Sequence, residues 1–386
     1  MKITDVQAIV LESPYENQPP AGSEEAHGVK HCLLLKVSTD EGLTGWSDVE
    51  TAPHVGAAVV AAPASGAGVF EGLKSLVIGE DPFEVERLWD KVYRGTIYYG
   101  RRGVALQVLS GFDIACHDLI GKAIGRPLYK VLGGAYRQRV RAYASTLFRK
   151  TPDDMKRACE FYLERGFTAI KFGWGPFGQD RQRDLALVAA ARKAIGPEVD
   201  LLIDPGWMVN RSAYEAIELI RALEPYRIFW LEDFLHPECY DGYARVKAAG
   251  LNTRLAAGEQ EATAWGFHDL ITRGRVDVVQ PDLSRCGGLS QARKIIWEAQ
   301  RAGVDVCPHA WLTDLLSAAS LHVNACLERS LFLEYNVCDN PMLREVIRNP
   351  IQMDSEGMVP VPQGPGLGVD INEQAVERFR IPFIWE

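Results

Sequence analysis

The sequence has few features typical of secreted, membrane or nucleic-acid-binding proteins. Its eight cysteines are scattered over 386 residues without a CxxC pair, which favours reduced, packed thiols in a cytosolic protein. No uninterrupted run of about 18 apolar residues could form a membrane-spanning helix, and the first residues lack the apolar core of a signal peptide. A net charge of -9 argues against a phosphate-rich partner. These absences predict a cytoplasmic protein that binds neither membrane nor nucleic acid.

The length of the chain predicts one large domain with a smaller partner. Residues 1 to about 60 are predicted to form a β-meander and residues from about 61 to 135 helices, so that residues 1–137 make up a predicted α+β domain. Over residues 138–345, eight short β-rich runs alternate with amphipathic helices, which is the pattern of a TIM barrel. Residues 346–386 are rich in proline and glycine and are predicted to return to the first domain.

The predicted barrel elements have approximate bounds. The eight strands begin near residues 140, 169, 201, 228, 255, 276, 304 and 331. Five of the helices cover residues 152–165, 181–194, 212–222, 289–301 and 315–326. Each of these helices has an apolar stripe and a polar face, as expected for the outer layer of a barrel.

Acidic residues end three successive predicted strands. Asp204, Glu232 and Glu259 close the third, fourth and fifth runs. Because barrel active sites lie at the C-terminal ends of the strands, we expect the three carboxylates to converge. A cluster of oxygen ligands suits a hard divalent cation such as Mg²⁺, which is therefore the predicted cofactor.

The next three predicted strands also end in titratable residues. Asp282, His309 and Glu334 stand at the ends of runs six, seven and eight. A single acid at a strand end is commonly a solvated loop carboxylate or a helix cap, but five acids and one histidine, one per strand, favour an active site. An imidazole, with an ordinary pKa of about 6.5, can take and return a proton near neutral pH.

Together these positions resemble the mandelate racemase and muconate lactonizing branch of the enolase superfamily, over nearly the whole chain. The matching residues and motifs are Asp204, Trp230-Leu231-Glu232, Ala257-Gly258-Glu259, Gln280-Pro281-Asp282, Cys286-Gly287-Gly288, Pro308-His309, Leu333-Glu334 and Gly364-Pro365-Gly366-Leu367-Gly368. The resemblance implies an α/β fold, a modified TIM barrel of the (β/α)7β kind, with an α+β capping domain formed by the N-terminal region and the C-terminal tail.

The resemblance also implies roles for the strand-end residues. Asp204, Glu232 and Glu259 would be magnesium ligands, and Asp282 and His309 a proton-transferring dyad. Glu334 would be an electrophilic or hydrogen-bonding acid, which requires a site that keeps it protonated. The shared step of the family removes a proton next to a carboxylate, and a cation stabilises the resulting enediolate.

The second barrel strand departs from the family pattern. Many members carry Lys-x-Lys there, and the second lysine is a base on the face opposite the histidine. Here the corresponding positions are Lys171 and Gly173, and both should point into the barrel because residues two apart share a face of a strand. The second base is therefore missing. Three roles remain open for Lys171: a structural ion pair, neutralisation of the substrate carboxylate, or, with a slipped register, the base itself.

With one base, a dehydration is more natural than a racemisation, which needs acid–base groups on both faces of the carbon. The predicted enzyme is a hydro-lyase that resembles L-rhamnonate dehydratase-type members. It would convert an aldonate or aldarate into a 2-keto-3-deoxy acid by syn loss of water. Alternatives are a sugar-acid epimerase, racemase or lactone cycloisomerase of the same superfamily, and a non-catalytic paralogue that binds an acid sugar. The absence of an HxH motif argues against an amidohydrolase.

Four further residues are candidates for contacts with the substrate: His27, His54, Trp311 and Arg285. His27 and His54 lie in N-terminal segments that, by the resemblance, close over the site. Trp311 follows His309 and is expected at the rim. Arg285 follows Asp282 closely and is expected to pair with nearby carboxylates. The resemblance further implies a homo-oligomer, from a dimer to an octamer.

Overall fold

The computed structural model describes residues 1–16, 28–207 and 212–383. An antiparallel sheet in the order β1-β2-β3 opens the chain, as the predicted meander requires. Its strands are β1 (Ile3–Pro14), β2 (Val29–Thr39) and β3 (Thr44–Val49). Neighbouring residues of a strand face opposite sides, and in β2 Leu34 joins the barrel core while Leu33 and Leu35 join a separate capping core. The sheet therefore lies between two hydrophobic cores.

Helices follow this sheet along the chain. They are α1 (Pro53–Ala61), α2 (Leu73–Val77), α3 (Val85–Gly95), α4 (Val104–Ala123) and α5 (Leu128–Val131). Of these, α1, α2 and α4 pack against the sheet. The predicted meander extended to about residue 60, but Pro53 occupies the first turn of α1, where proline favours a helix. By length and composition α4 could cross a membrane, yet 89% of its apolar window is buried. It packs against β2, β3 and α3 and is the central helix of the capping core.

Eight parallel strands form the barrel, at all eight predicted places. They are β4 (Arg139–Leu147), β5 (Ala169–Gly173), β6 (Asp200–Asp204), β7 (Trp230–Glu232), β8 (Arg254–Ala257), β9 (Val278–Val279), β10 (Asp305–Val306) and β11 (Leu333–Asn336). The hydrogen-bonded order runs β10-β9-β8-β7-β6-β5-β4-β11. Between the two ends of this order, the Cys307 thiol contacts the carbonyl oxygen of Phe332 at 3.4 Å. The predicted α/β barrel with a capping domain is confirmed.

Helices alternate with these strands. They are α6 (Pro152–Glu164), α7 (Arg181–Ile195), α8 (Ala213–Leu223), α9 (Tyr240–Ala248), α10 (Thr263–Asp269), α11 (Gly288–Ala302), α12 (Asp314–Cys326) and α13 (Met342–Glu345). The five predicted helices begin and end within one or two residues of their observed bounds, because local signals mark their ends. Ser212 and Glu215, for example, form a reciprocal capping box at the start of α8, which satisfies two backbone donors.

The C-terminal segment contacts both parts of the molecule. Strand β12 (Met358–Pro360) pairs antiparallel with β4 of the barrel. After α14 (Glu373–Phe379), the amide of Ile381 donates to the carbonyl of Val10 on β1 at 3.0 Å. The segment therefore adds a strand to the barrel before it reaches the capping sheet.

An aromatic layer fills the floor of the barrel. Tyr143 meets Trp230 and Phe332 edge to face, with ring centroids 5.8 Å apart in both pairs. All three side chains are fully buried. This layer closes one end of the barrel. The inward-facing residues two positions further along the strands are polar, and they lie toward the C-terminal end, where the capping sheet lies.

Candidate active site

Three buried carboxylates converge at the C-terminal ends of β6, β7 and β8. Asp204 and Glu232 are the last residues of their strands, and Glu259 follows β8 by two residues. One oxygen from each lies within 4.8 Å of the others. Burial and neighbouring carboxylates raise the pKa of both Asp204 and Glu232. A site that concentrates negative charge on oxygen ligands fits a hard divalent cation.

Lys171 on β5 lies against this cluster. Its Nζ is 2.6 Å from Glu232 Oε1 and 2.9 Å from Glu334 Oε1, and 4.0 Å from Asp204 Oδ2. Burial alone would lower the pKa of Lys171, but these carboxylates raise it well above its ordinary value. The lysine is therefore a fixed cation, which favours an ion-pairing or charge-neutralising role over that of a base.

His309, three residues beyond β10, is held by Asp282. The Nδ1 of His309 lies 2.7 Å from Asp282 Oδ2, and since a carboxylate only accepts, Nδ1 carries the proton and donates it. The Nε2 is thereby left to face Glu259 Oε2 at 3.1 Å and Glu334 Oε2 at 3.8 Å. Burial opposes charge on the imidazole, but the carboxylates of Glu259 and Glu334 raise the pKa of His309 well above 6.5.

Asp282 is itself fixed by Ser284. Both the amide and the hydroxyl of Ser284 donate to Asp282 Oδ1, each at 2.7 Å. The hydroxyl of Ser284 in turn accepts a hydrogen bond from the amide of Glu50 at 3.1 Å. A continuous chain of hydrogen bonds thus joins the capping domain to His309.

Glu334 on β11 is ionised by its surroundings. It accepts hydrogen bonds at 2.7 Å from the Ser145 hydroxyl and from the amide of Ala310. Although burial alone would raise the pKa of Glu334, Lys171 and His309 lower it to about 2. Its expected role as a hydrogen-bond donor requires a neutral carboxyl, and these cationic neighbours disfavour that form. The sequence pattern did not reveal that Lys171 pairs with Glu334.

Glu50, just past β3, is a site residue that the sequence analysis missed. Its Oε1 lies 3.0 Å from Nη2 of Arg285 and 3.8 Å from Nζ of Lys30. Lys30 also donates to the carbonyl oxygen of Trp311 at 3.4 Å. Nothing in the local sequence marks Glu50, because Arg285 and Ser284, its partners on the barrel, are more than 200 positions away along the chain.

These groups surround a cavity of about 400 Å³ beneath the capping sheet. Among the predicted substrate contacts, Arg285 and Trp311 line it. His54 lies in the first turn of α1 and stacks on Phe383, with ring centroids 6.3 Å apart, and it is not among the lining residues. His27 lies outside the described residues.

Gly173, which the sequence analysis aligned with the missing second base, lines the cavity. It is the last residue of β5 and pairs in register with Asp204 of β6. A Cβ at this position would lie 3.1 Å from Asp204 Oδ2, so any larger residue would press on that carboxylate. The next residue, Trp174, adopts a left-handed backbone with φ +48° and turns an aromatic ring to the cavity rim.

Two family models match most of the chain. The mandelate racemase / muconate lactonizing enzyme N-terminal domain matches residues 5–133. The enolase C-terminal domain-like model matches residues 154–375.

Individual relatives agree with these matches. The chain is 35% identical to D-galactarolactone cycloisomerase from Agrobacterium fabrum over 99% of this chain and 100% of that one. It is 35% identical to D-galactonate dehydratase from Ralstonia nicotianae over 92% of both. Among solved structures, 3,6-anhydro-D-galactonate cycloisomerase from Zobellia galactanivorans superposes with a TM-score of 0.88 at 29% identity, covering 99% of this chain and 100% of that chain. The resemblance found in the motifs is confirmed, and the chain belongs to the mandelate racemase and muconate lactonizing enzyme family of the enolase superfamily.

Proposed function

We propose that this protein is a magnesium-dependent dehydratase that converts a sugar acid, an aldonate or aldarate, into a 2-keto-3-deoxy acid. The observation that carries the proposal is the asymmetry of the cavity. One wall holds His309 with its Asp282 partner, and the facing strand ends in Gly173, which has no side chain. Proton transfer is therefore confined to one face of the substrate.

Asp204, Glu232 and Glu259 would hold the cation, since they supply converging oxygen ligands whose charges need compensation. A bound Mg²⁺ supplies positive charge that stabilises negative charge developing on the substrate carboxylate. Lys171 adds a fixed positive charge beside the same position. Its ion pairs with Glu232 and Glu334 keep it from moving toward bulk water.

His309 would act first as the base. Its Nε2 is the ring nitrogen that does not donate to Asp282, and it lies 3.1 Å from Glu259 Oε2. It would be released to accept a proton once Glu259 is engaged in holding the cation. It takes the proton from the carbon next to the carboxylate, and Asp282 stabilises the imidazolium that forms. The buried dyad keeps the ring in one orientation, so that the proton stays on the same face of the substrate.

The imidazolium then acts as the acid. His309 returns a proton to the hydroxyl on the next carbon, the C3–O bond breaks and water leaves. A C2=C3 double bond forms, and the resulting enol becomes the 2-keto-3-deoxy acid. The C2 proton and the C3 hydroxyl leave as water, so no oxidant or reductant is needed.

A lactone or anhydro-sugar cycloisomerase is the second candidate. It is favoured by the 35% identity to D-galactarolactone cycloisomerase over 99% of this chain. The same single base would serve if the departing oxygen belonged to a ring, since the leaving group would then remain in the product.

A panel of aldonates, aldarates and their lactones, incubated with the Mg²⁺-loaded protein, tests the proposal. The expected product is a keto acid whose mass, measured by mass spectrometry, is lower than that of the substrate by one water molecule. A product of unchanged mass from a lactone would favour the cycloisomerase, and a panel that yields only epimers would overturn both candidates.

A further inference from the structure

The charged groups around the cavity are already paired within the protein. The described residues that line it include four carboxylates and three basic groups, which are Glu50, Asp204, Glu259, Glu334, Lys171, Arg285 and His309. Each basic group has a protein carboxylate within hydrogen-bond reach, and nearby Lys30 lies 3.8 Å from Glu50 and donates to the carbonyl oxygen of Trp311. Lys171 lies 2.6 Å from Glu232, Arg285 lies 3.0 Å from Glu50, and His309 lies 2.7 Å from Asp282.

One oxygen of Glu50 has no part in this pairing. In the described part of the chain its Oε2 is buried and has no hydrogen-bond partner. One Glu50 oxygen lies within 4.8 Å of ligand atoms of both Asp282 and His309. Arg285, which faces Glu50, is shared with Glu259 and Asp282 at 3.7 and 3.9 Å.

The remaining lining suits hydroxyl groups rather than a second anion. Ser145 and Thr146 offer hydroxyls, and Trp174 and Trp311 offer aromatic surfaces on which the carbon chain of a polyol can lie. A second carboxylate would therefore leave water without gaining a free cation, which is costly.

We infer that Glu50 is a specificity-determining residue that restricts the substrate to sugar acids with a single carboxylate, aldonates or their lactones, and rejects aldarates. This inference rests on the proposed function and narrows its substrate class. The carboxylate of Glu50 lines the cavity, where it can accept a hydrogen bond from a substrate hydroxyl, and its charge repels a second carboxylate at the same place.

Matched pairs of acids that differ only in the oxidation of the terminal carbon test the inference. Galactonate with galactarate, and gluconate with glucarate, are such pairs. The wild-type protein with Mg²⁺ should prefer the single acid by at least about 100-fold in kcat/KM, since an uncompensated buried charge costs that much or more. Equal use of both members of a pair, or preference for the diacid, would overturn the inference.

Variants of Glu50 separate charge from shape. Glu50→Gln keeps the size of the side chain, removes the repulsion and releases Arg285 for a second carboxylate, so the preference should fall by about tenfold or more. Glu50→Asp keeps the charge and should keep the preference. Glu84→Gln is a matched control, because Glu84 pairs with Arg87 on the exposed surface of the capping domain and does not line the cavity. An unchanged preference in Glu50→Gln would overturn the role of Glu50.

Calorimetry of sugar-acid binding to the His309→Asn protein with Mg²⁺ distinguishes a failure of the proposed reaction from a failure of the inference about Glu50. If single acids bind with the expected preference but the wild-type protein forms no keto acid, the proposed reaction fails and the inference about Glu50 stands. If diacids bind as tightly as single acids, or if neither member of any pair binds, the inference fails whatever the reaction.

Discussion

The hydroxyl of Ser284 donates to Asp282 at 2.7 Å and accepts from the amide of Glu50 at 3.1 Å. It thereby connects the capping domain to the pair formed by Asp282 and His309. Ser284 does not itself line the cavity. It fixes the orientation of a carboxylate that in turn fixes a base. Partners of this kind around catalytic groups commonly contribute 10–100-fold.

Removing that hydroxyl should therefore slow the chemistry without weakening binding. Ser284→Ala is expected to lower kcat about tenfold with KM changed less than about twofold, because Asp282 loses one donor while the cavity keeps its lining. Steady-state kinetics measure both constants. Ser284→Thr retains a hydroxyl and should recover most of the rate. A rise in KM with kcat unchanged would contradict the positioning role.

Loss of Lys171 should stop turnover while leaving proton abstraction detectable. Lys171→Met leaves Glu232 and Glu334 without their shared cation, and we expect kcat to fall about 100-fold or more. Exchange of the substrate α-proton with deuterated solvent, followed by NMR, should persist at a reduced rate. If exchange vanished in Lys171→Met and survived in His309→Asn, Lys171 would be the base.

Binding of Mg²⁺ should stabilise the fold. Asp204, Glu232 and Glu259 repel one another in a buried site, so a cation that binds only the folded state would add about 2.7 kcal/mol at 100 times its Kd. Thermal unfolding with Mg²⁺ or a chelator measures the difference in Tm. Asp204→Asn should abolish most of that difference, while the surface variant Glu84→Gln should keep it. An equal Mg²⁺ response in both variants would place the cation elsewhere.

His322 on α12 should make the fold sensitive to acid. Its Nδ1 accepts from the amide of Tyr129 at 3.3 Å and its Nε2 donates to the carbonyl of Leu367 at 3.0 Å, an arrangement that only the neutral ring allows. Burial lowers the pKa of His322 to about 4, against about 6.5 in the unfolded chain. The stabilisation is thus present above pH 6.5 and is lost as the pH falls toward 4.

At pH 5 the expected loss from His322 is about 2 kcal/mol in the free energy of unfolding. Urea unfolding at pH 7 and pH 5 measures it. His322→Gln can still accept and donate but does not titrate, so its change between the two pH values should be smaller by about that amount. Identical changes in both proteins would show that His322 does not control the acid response.

The sequence was most informative about the ends of the barrel strands, where a strand carries one titratable residue. Asp204 and Glu232 end their strands as predicted, because periodic apolar runs mark barrel strands and the barrel brings their ends together. The pairing of His309 with Asp282 followed from the same geometry together with the family resemblance. Gly173 ends β5 and lines the cavity, as counting along the predicted strand indicated.

What escaped prediction depends on contacts between distant segments. Glu50 meets Arg285 only because the capping sheet folds over the barrel, and a lone glutamate after a strand carries no signal of its own. His54 was expected near the site, but Pro53 starts a helix that turns it toward Phe383. The ionised state of Glu334 depends on Lys171, whose partner a strand pattern cannot identify.

The most direct test of the account is exchange of the substrate α-proton with deuterated solvent in the His309→Asn protein loaded with Mg²⁺. The asparagine is close in size to the imidazole but cannot take a proton, and the other walls of the cavity offer a fixed cation at Lys171 and no side chain at Gly173. We predict that both exchange and keto-acid formation are lost while binding of the sugar acid persists. Exchange at the wild-type rate would mean that another group is the base, and the single-base dehydration would be wrong.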